Sequence, residues 1–341
     1  MQFMTTIKDV AARAGVSTAT VSRILANQNA SNPVMRMKVM AAVNELGYAP
    51  NFAAKSLRTL KSCKIIVTVP DISNPYFSMV LRGIQDAAQP AGYSVLLGDT
   101  RMDPAIEEAY ASMLLRREAD GLIFLGHKAP PTLYRMAEDM GGRAPIINGG
   151  EFDCPLDISS VHIDNAQATS DMIEHLYELG HRDIAAIGGP STSPTARERM
   201  SGIRRAAHRL RISETLSMIH TDFSIEAGER AARDLLAQAP ATTAICCSSD
   251  EQAFGALSAL RHHGLRCPED ISVTGFDDTR YASVSNPPLT TIHQPMVEMG
   301  RQMVTLLLGI LNGTISEAQS VSLHHNIVAR SSTQPPRQPV A

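Results

Sequence analysis

Apolar positions follow one rhythm before residue 50 and another after residue 64. In the first stretch they recur at helical spacing. Ile7, Val10, Ala11 and Ala14 form one stripe, and Val16, Val21 and Ile24 face it across a turn at Gly15. Thr6 and Asp9 have capping-box spacing, which predicts a helix beginning at Ile7, with the threonine hydroxyl satisfying orphan N–H groups. Ser17 offers a second N-cap. Asn32 and Pro33 open a third helix running to about Leu46, and Val39, Ala42, Val43 and Leu46 close the small core before Gly47. Helical propensity then recovers from Asn51 to about Leu60, in a segment too short to be stable alone in water.

From Lys64 continuous apolar runs alternate with amphipathic segments over about 270 residues. Strands are expected at "KIIVTVP", "YSVLLGD", "GLIFLG", "APIINGG", "VHID", "DIAAIGG", "LSMIHTD", "TAICCSSD", "ISVTGFDD", "LTTIHQP" and near Val321 to Val328. Helices are expected between them, among them Pro75 to Ala91, Ala196 to Leu210, Ile225 to Gln238 and Val297 to Leu311. This alternation implies an α/β body of parallel sheets covered on both faces. Some ten strands are too many for one ordinary sheet, so two lobes are expected. Polar residues gather just after strand ends: Asp71, Ser73 and Asn74; Asp164 and Asn165; Ser248, Ser249 and Asp250; Asp277 and Asp278. Ligands of open α/β sheets bind there, so the pattern describes a wet cleft between lobes. The final "SSTQPPRQPVA" reads as a mobile tail.

Composition narrows the class. A 341-residue chain with 44% hydrophobic residues builds two or three globular domains. It has no apolar run near the length of a membrane span, and "MQFMTTIKDV" lacks the form of a signal peptide, so a soluble, cytoplasmic protein without a membrane partner is expected. The five cysteines form no C-x-x-C pair and read as reduced thiols, with no metal site. P-loop, G-x-G-x-x-G, G-x-S-x-G and metal-ligand spacings are all missing, which argues against a cofactor and against an α/β enzyme; His162 and His293 read as core residues. A transport-type binding protein would need an export signal. Charge is divided unevenly. Residues 1–61 carry eight Lys/Arg and two Asp/Glu, or +6, leaving 23 against 32, or −9, for the rest. A basic N-terminal module on an acidic body is the footprint of a head that binds phosphates, in a salt-dependent way.

Two short helices joined at a glycine make a helix-turn-helix, whose second helix enters the major groove of DNA. At its outward positions Thr18 and Ala19 can touch base edges or a thymine methyl, and Arg23 can bind a guanine. Thr6, Thr20 and Ser22 are candidates for phosphate contacts, and Ser17 belongs with them to the expected DNA-binding set. Leu57, between Lys55 and Arg58, suits a minor-groove wedge.

The blocks "TIKDVAARAGVSTATVSR", "ELGYAPNFAAKSLR", "PDISNPYFSMVLRGI", "ADGLIFLG", "VHIDN", "LGHRDIAAIGGP", "CCSSDEQAFGAL" and "PEDISVTGFDD" through "PPLTTIHQP" together resemble the LacI/GalR family of bacterial transcription repressors, from Thr6 to about Ser332. The resemblance implies a helix-turn-helix head (1–50), a hinge helix (51–61) and a periplasmic-binding-protein-like body (62–341). Its lobes would comprise about 62–160 with 293–320, and 161–291 with 321–332, crossing near Ser160, Ile292 and Val321. Thr18, Ala19 and Arg23 fall on the family's base-reading positions, and Leu57 falls on the minor-groove leucine. Ala54 falls where a small residue lets paired hinge helices pack, with Asn51, Lys55 and Arg58 alongside.

In the cleft, Phe77 and Phe223 match ring-stacking positions, Arg199 an effector-binding arginine and Asp277 a carboxylate taking sugar or ribose hydroxyls. Asn74, Tyr76, Asp164 and Asp250 complete the expected effector set. Two positions depart from the family: Ser193 stands where purine-sensing members carry a second arginine, and Met35 where a threonine faces phosphate. The expected function is a homodimeric repressor of operator DNA, controlled by a small polar effector, a nucleoside or a sugar.

Overall fold

The computed structural model describes residues 5–26, 32–49, 61–150 and 156–337. The chain divides into two compact units, Met1–Ser62 and Cys63–Ala341. The expectations for Asn51, Ala54, Lys55, Leu57 and Arg58 lie outside the described residues.

The first unit consists of α1 (Ile7–Ala14), α2 (Thr18–Ala26) and α3 (Pro33–Leu46). Gly15 and Gly47 end α1 and α3 with left-handed φ values of 67° and 58°. Val10, Val21, Ile24 and Val39 are buried in a core shared by all three helices. The capping box expected at Thr6 and Asp9 is present, and the Thr6 N–H and hydroxyl both donate to the Asp9 carboxylate, at 2.8 and 2.7 Å. These bonds hold the Asp9 carboxyl below its ordinary range.

The second unit holds twelve strands in two sheets among the described residues. These are β1 (Lys64–Val69), β2 (Ser94–Asp99), β3 (Gly121–Phe124), β4 (Ile146–Asn148), β5 (Ser159–Ile163), β6 (Ile184–Gly188), β7 (Ser217–His220), β8 (Ala244–Cys247), β9 (Ser272–Asp277), β10 (Thr290–His293), β11 (Ser320–Leu323) and β12 (Asn326–Val328). The helices between them are α4 (Pro75–Ala88), α5 (Pro104–Leu115), α6 (Pro131–Met140), α7 (Asn165–Glu178), α8 (Pro194–Leu210), α9 (Ile225–Gln238), α10 (Asp250–His262) and α11 (Met296–Leu311).

The first sheet runs β11-β5-β4-β3-β1-β2, and the second β12-β10-β9-β8-β6-β7. The second is not wholly parallel, because β12 runs antiparallel to β10, with Ile327 opposite Ile292. The single strand expected near Val321 to Val328 is two strands, β11 in the first sheet and β12 in the second. The backbone changes sheets at His324 and His325. The other crossings fall at Asp164, after β5, and at Gln294 and Pro295, since α7 packs against the second sheet and α11 against the first. All three lie a few residues beyond the expected positions: a strand-like run shows no preference for a sheet, and the hydrogen-bond ladder decides it.

The tail also differs. Ser332 is fully buried; its hydroxyl donates to Val273 O at 2.6 Å and accepts from Thr290 N at 2.8 Å. The Gln334 carbonyl accepts from the Ser272 hydroxyl at 3.2 Å and sits 3.0 Å from His181 Nε2. A polar segment is therefore held by hydrogen bonds between side chains and backbone that composition conceals.

Glycine brings α9 and α10 together at their first turns. A Cβ added to Gly255 would lie 2.0 Å from Ile225 O, and one added to Gly228 would lie 2.4 Å from Gln252 O. Gly255→Ala should force the helices apart and destabilise the second unit by roughly 1 to 3 kcal/mol, read as a lower urea midpoint. An unchanged midpoint would show that the approach is looser.

Asp250 heads α10 and is fully buried. Its carboxylate accepts from Thr279 N (2.7 Å), the Thr279 hydroxyl (2.9 Å) and the Thr291 hydroxyl (2.6 Å). Burial outweighs these bonds and pushes its pKa from 3.8 up to about 7. The folded state thus keeps a proton that the unfolded chain has released. The stability Asp250 contributes is full below about pH 4 and is lost as pH rises through about 7. Asp250→Asn should flatten this part of the stability profile. Urea titrations of both proteins between these limits test it; parallel profiles would contradict it.

Candidate functional site

A cavity of about 590 Å³ opens in the second unit, walled on one side by residues following β1 and on the other by residues following β6, β7, β8 and β9. Asn74 starts α4 by accepting a hydrogen bond from Tyr76 N at 2.9 Å. This turns Tyr76 and Phe77 inward as an edge-to-face pair with ring centroids 5.1 Å apart. Phe223 approaches from the other side. Its ring sits over Gly189, where a Cβ would come within 2.2 Å. Aromatic surface therefore reaches the cavity from both walls, as a planar or pyranose ligand requires.

The buried polar part is a guanidinium beside a carboxylate. Arg199, on α8, is 5% exposed; Nε donates to Asn165 Oδ1 at 2.9 Å and Nη1 to Ser248 O at 2.7 Å. The guanidinium also stacks 3.7 Å above the Phe276 ring, and Nη1 lies 3.9 Å from Asp277 Oδ1. Asp277 ends β9 with φ 115°. Its Oδ1 accepts from Gln294 Nε2 at 2.7 Å, and its carbonyl accepts from Gln294 N at 3.2 Å. Neighbouring Asp278, also at positive φ, binds His293 Nδ1 at 2.9 Å and Arg330 Nη2 at 2.7 Å. Such backbone strain in two successive non-glycine residues is held only by dense surrounding bonds. A donor fork beside a fixed acceptor suits neighbouring hydroxyls or an amide-like edge.

The cavity thus gathers Asn74, Tyr76, Phe77, Arg199, Phe223 and Asp277. It does not include Asp250, which is spent on Thr279 and Thr291. Asp164 is also elsewhere: it caps α7 through Gln167 N at 2.8 Å and lines a more open cavity of about 470 Å³ with Asn148, His162 and Glu198. His162 and His293 are partly exposed rather than core. Ser193 is a buried cap of α8, accepting from Ala196 N, and Met35 is exposed on α3. Among the lining residues not singled out beforehand are Met102, His127, Thr195, Asp222, Glu226 and Glu251. For Glu226 and Glu251 a signal existed: each is an acidic residue in the first turn of a helix that follows a strand. Burial lowers the pKa of His127.

In the first unit, Ser17 accepts from Thr20 N at 3.2 Å at the start of α2. Thr18, Ala19 and Arg23 are exposed on that helix, with Thr20 and Ser22 half-buried and Thr6 exposed on the turn before α1. Among the described residues no group of His, Cys, Asp and Glu is arranged to hold a metal ion, and no helix is long and apolar enough to cross a membrane.

The family "Bacterial regulatory proteins, lacI family" matches residues 6–51, and "Periplasmic binding protein-like domain" matches residues 173–333. The "HTH-type transcriptional repressor CytR" of Escherichia coli K12 is 37% identical over 330 residues, 96% of each chain. The Lac repressor dimer bound to operator and the anti-inducer ONPF aligns with a TM-score of 0.86 at 30% identity, over 97% of this chain and 99% of that one. A LacI family regulator from Enterococcus faecium with bound ribose gives 0.73 at 30%, over 80% and 100%. With a helix-turn-helix unit, a two-sheet body and likeness over nearly its whole length, the chain belongs to the LacI family of bacterial regulatory proteins.

Proposed function

We propose that this chain is a homodimeric, cytoplasmic repressor that reads operator DNA with its first unit and binds a nucleoside or sugar in the cavity around Arg199 and Asp277. The observation that carries the effector half is the buried donor fork and fixed acceptor between aromatic walls. Ribose, bound by the Enterococcus faecium relative, is a sugar and also the sugar of every ribonucleoside, so one hydroxyl-binding pair serves both classes. The operator half is supported by the exposed Thr18, Ala19 and Arg23 and by the +6 charge of residues 1–61. Pairing follows from the need to read two half-sites, and the Lac repressor relative is a dimer on its operator. In this reading residues 51–61 are the hinge, and effector binding shifts operator affinity through the crossings at Asp164, Gln294 and His324–His325. Such coupling needs a differential affinity on the order of 1 to 3 kcal/mol.

A gel shift with DNA from upstream of the protein's own gene, across several salt concentrations, tests the whole reading; the absence of a specific band with any effector would end it. Arg23→Ala should cost about 1 to 3 kcal/mol of operator preference while the dimer stays folded. Competition between operator and random DNA measures this, and an unchanged ratio removes Arg23 from base reading. Asp277→Ala should leave operator binding intact and abolish the response to effector. A normal calorimetric titration of that variant would rule Asp277 out.

A further inference from the structure

Gln252 is fully buried in the first turn of α10 and does not line the cavity, yet its side-chain amide meets three strand ends of the second sheet. Its Nε2 donates to Gly188 O at 3.1 Å and to Asp222 O at 2.9 Å, and its Oε1 accepts from Ser248 N at 3.1 Å. Those residues stand at or just beyond the ends of β6, β7 and β8. Two carbonyls can face only N–H groups, and one N–H only an acceptor, so the amide has a single orientation here.

The three bonds are not equivalent. Gly188 O also accepts from Thr221 N at 3.0 Å, and Ser248 N also donates to Ile187 O at 2.9 Å, so both groups already belong to the sheet. Asp222 O lies past the last paired residues of β6 and β7, Gly188 and His220, and takes its bond from Gln252. The backbone of Gln252 is fixed in turn: a Cβ on Gly228 of α9 would lie 2.4 Å from Gln252 O and 2.6 Å from its Cα. The side chain is therefore a strut, seated on β6, β8 and α9, that reaches out to the turn closed by Ser224 N on Asp222 Oδ1 at 2.8 Å.

That turn carries the aromatic ring of this wall. The Phe223 ring rests over Gly189, and Phe223 O is a long 3.5 Å from the Ser249 hydroxyl, so the firmer backbone anchor of the ring is one residue away, at Asp222. A gap of about 0.5 to 1 Å forfeits roughly a quarter to a half of the dispersion attraction between a ring and what it touches.

We propose that Gln252 is a positioning residue of the effector site: without touching the ligand, it sets where Phe223 stands and so how strongly that wall binds. This rests on the effector reading above and adds to it a residue outside the cavity. A packing role would be met by methionine, which is about as long and bulky; a strut needs the amide, because methionine leaves the backbone groups unanswered.

Calorimetry of the full-length protein with cytidine, adenosine, ribose and glucose as probes tests this, with thermal melting to show that each variant is folded. For the probe that binds, Gln252→Met should weaken affinity by roughly tenfold, and Phe223→Leu by a similar factor. In the Phe223→Leu background, Gln252→Met should cost less than about twofold, because the ring it positions is gone. In Phe77→Leu, on the opposite wall, it should keep its full effect. Gln252→Glu separates bonding from shape: neutral, the acid keeps one donor, and ionised, it sets a negative oxygen against two carbonyls. Its affinity relative to wild type should fall by more than about tenfold between about pH 5 and pH 9, while the ratio for Gln252→Met stays level. If Gln252→Met fails to fold, Gln252→Glu and its double variants make the same comparison. Losses that add in Gln252→Met/Phe223→Leu, wild-type binding by Gln252→Met, or a level ratio for Gln252→Glu overturn the positioning role and leave the effector reading standing. No heat from any probe overturns both.

Discussion

A guanidinium taken out of water is tolerated only when its donors and its charge are both answered, and the body of this protein is arranged around one that is. Arg199 spends one N–H on the side chain of Asn165 and another on the carbonyl of Ser248, lays its face on Phe276, and keeps Asp277 within ion-pair reach. These partners come from three stretches of chain: the start of α7, the residue after β8, and two successive residues ending β9. Removing one member leaves a buried charge or acceptor unanswered, so the floor of the cavity acts as a unit.

Two of the bonds reach the places where the chain changes lobes. Asn165 stands immediately after the first crossing and hands its other amide end to Glu198 at 3.0 Å. Gln294 stands at the second and is bound to Asp277 through both backbone and side chain. At the third, His325 sits 2.9 Å from Asp171 on α7. The groups that would hold a ligand are therefore one hydrogen bond away from the segments that any change in lobe angle must bend. Ligand contact and lobe position share the same few bonds, and this is the physical form that coupling between a site and a conformation must take.

Where the sequence was legible, the interactions are short in range. Gly15 and Gly47 end helices because they alone adopt φ near +60° without strain, and Asn32 and Pro33 start one by local bonding. Asp277 could be placed in the cleft because a run of polar residues after a strand marks the same edge in any open α/β sheet, whereas Phe77, Arg199 and Phe223 were placed there by the family resemblance. Asp250 shows the limit. It follows a strand as Asp277 does, yet Thr279 and Thr291, some thirty and forty residues away, turn it into a buried brace. Nothing local separates the two aspartates, since the difference lies in which side chains arrive opposite them.

What the sequence determined by itself was the alternation of elements, the two-unit order, the basic head on an acidic body and the family, because periodicity, caps and charge are properties of neighbouring residues. Only the tertiary structure decided which sheet each late strand joins, that Ser332 and Gln334 are bound along the second sheet, and that Asp71, Glu226 and Glu251 face one cavity. Those outcomes rest on hydrogen bonds, close glycine contacts and charges between residues far apart in the chain, and such pairings exist only once the chain has closed on itself.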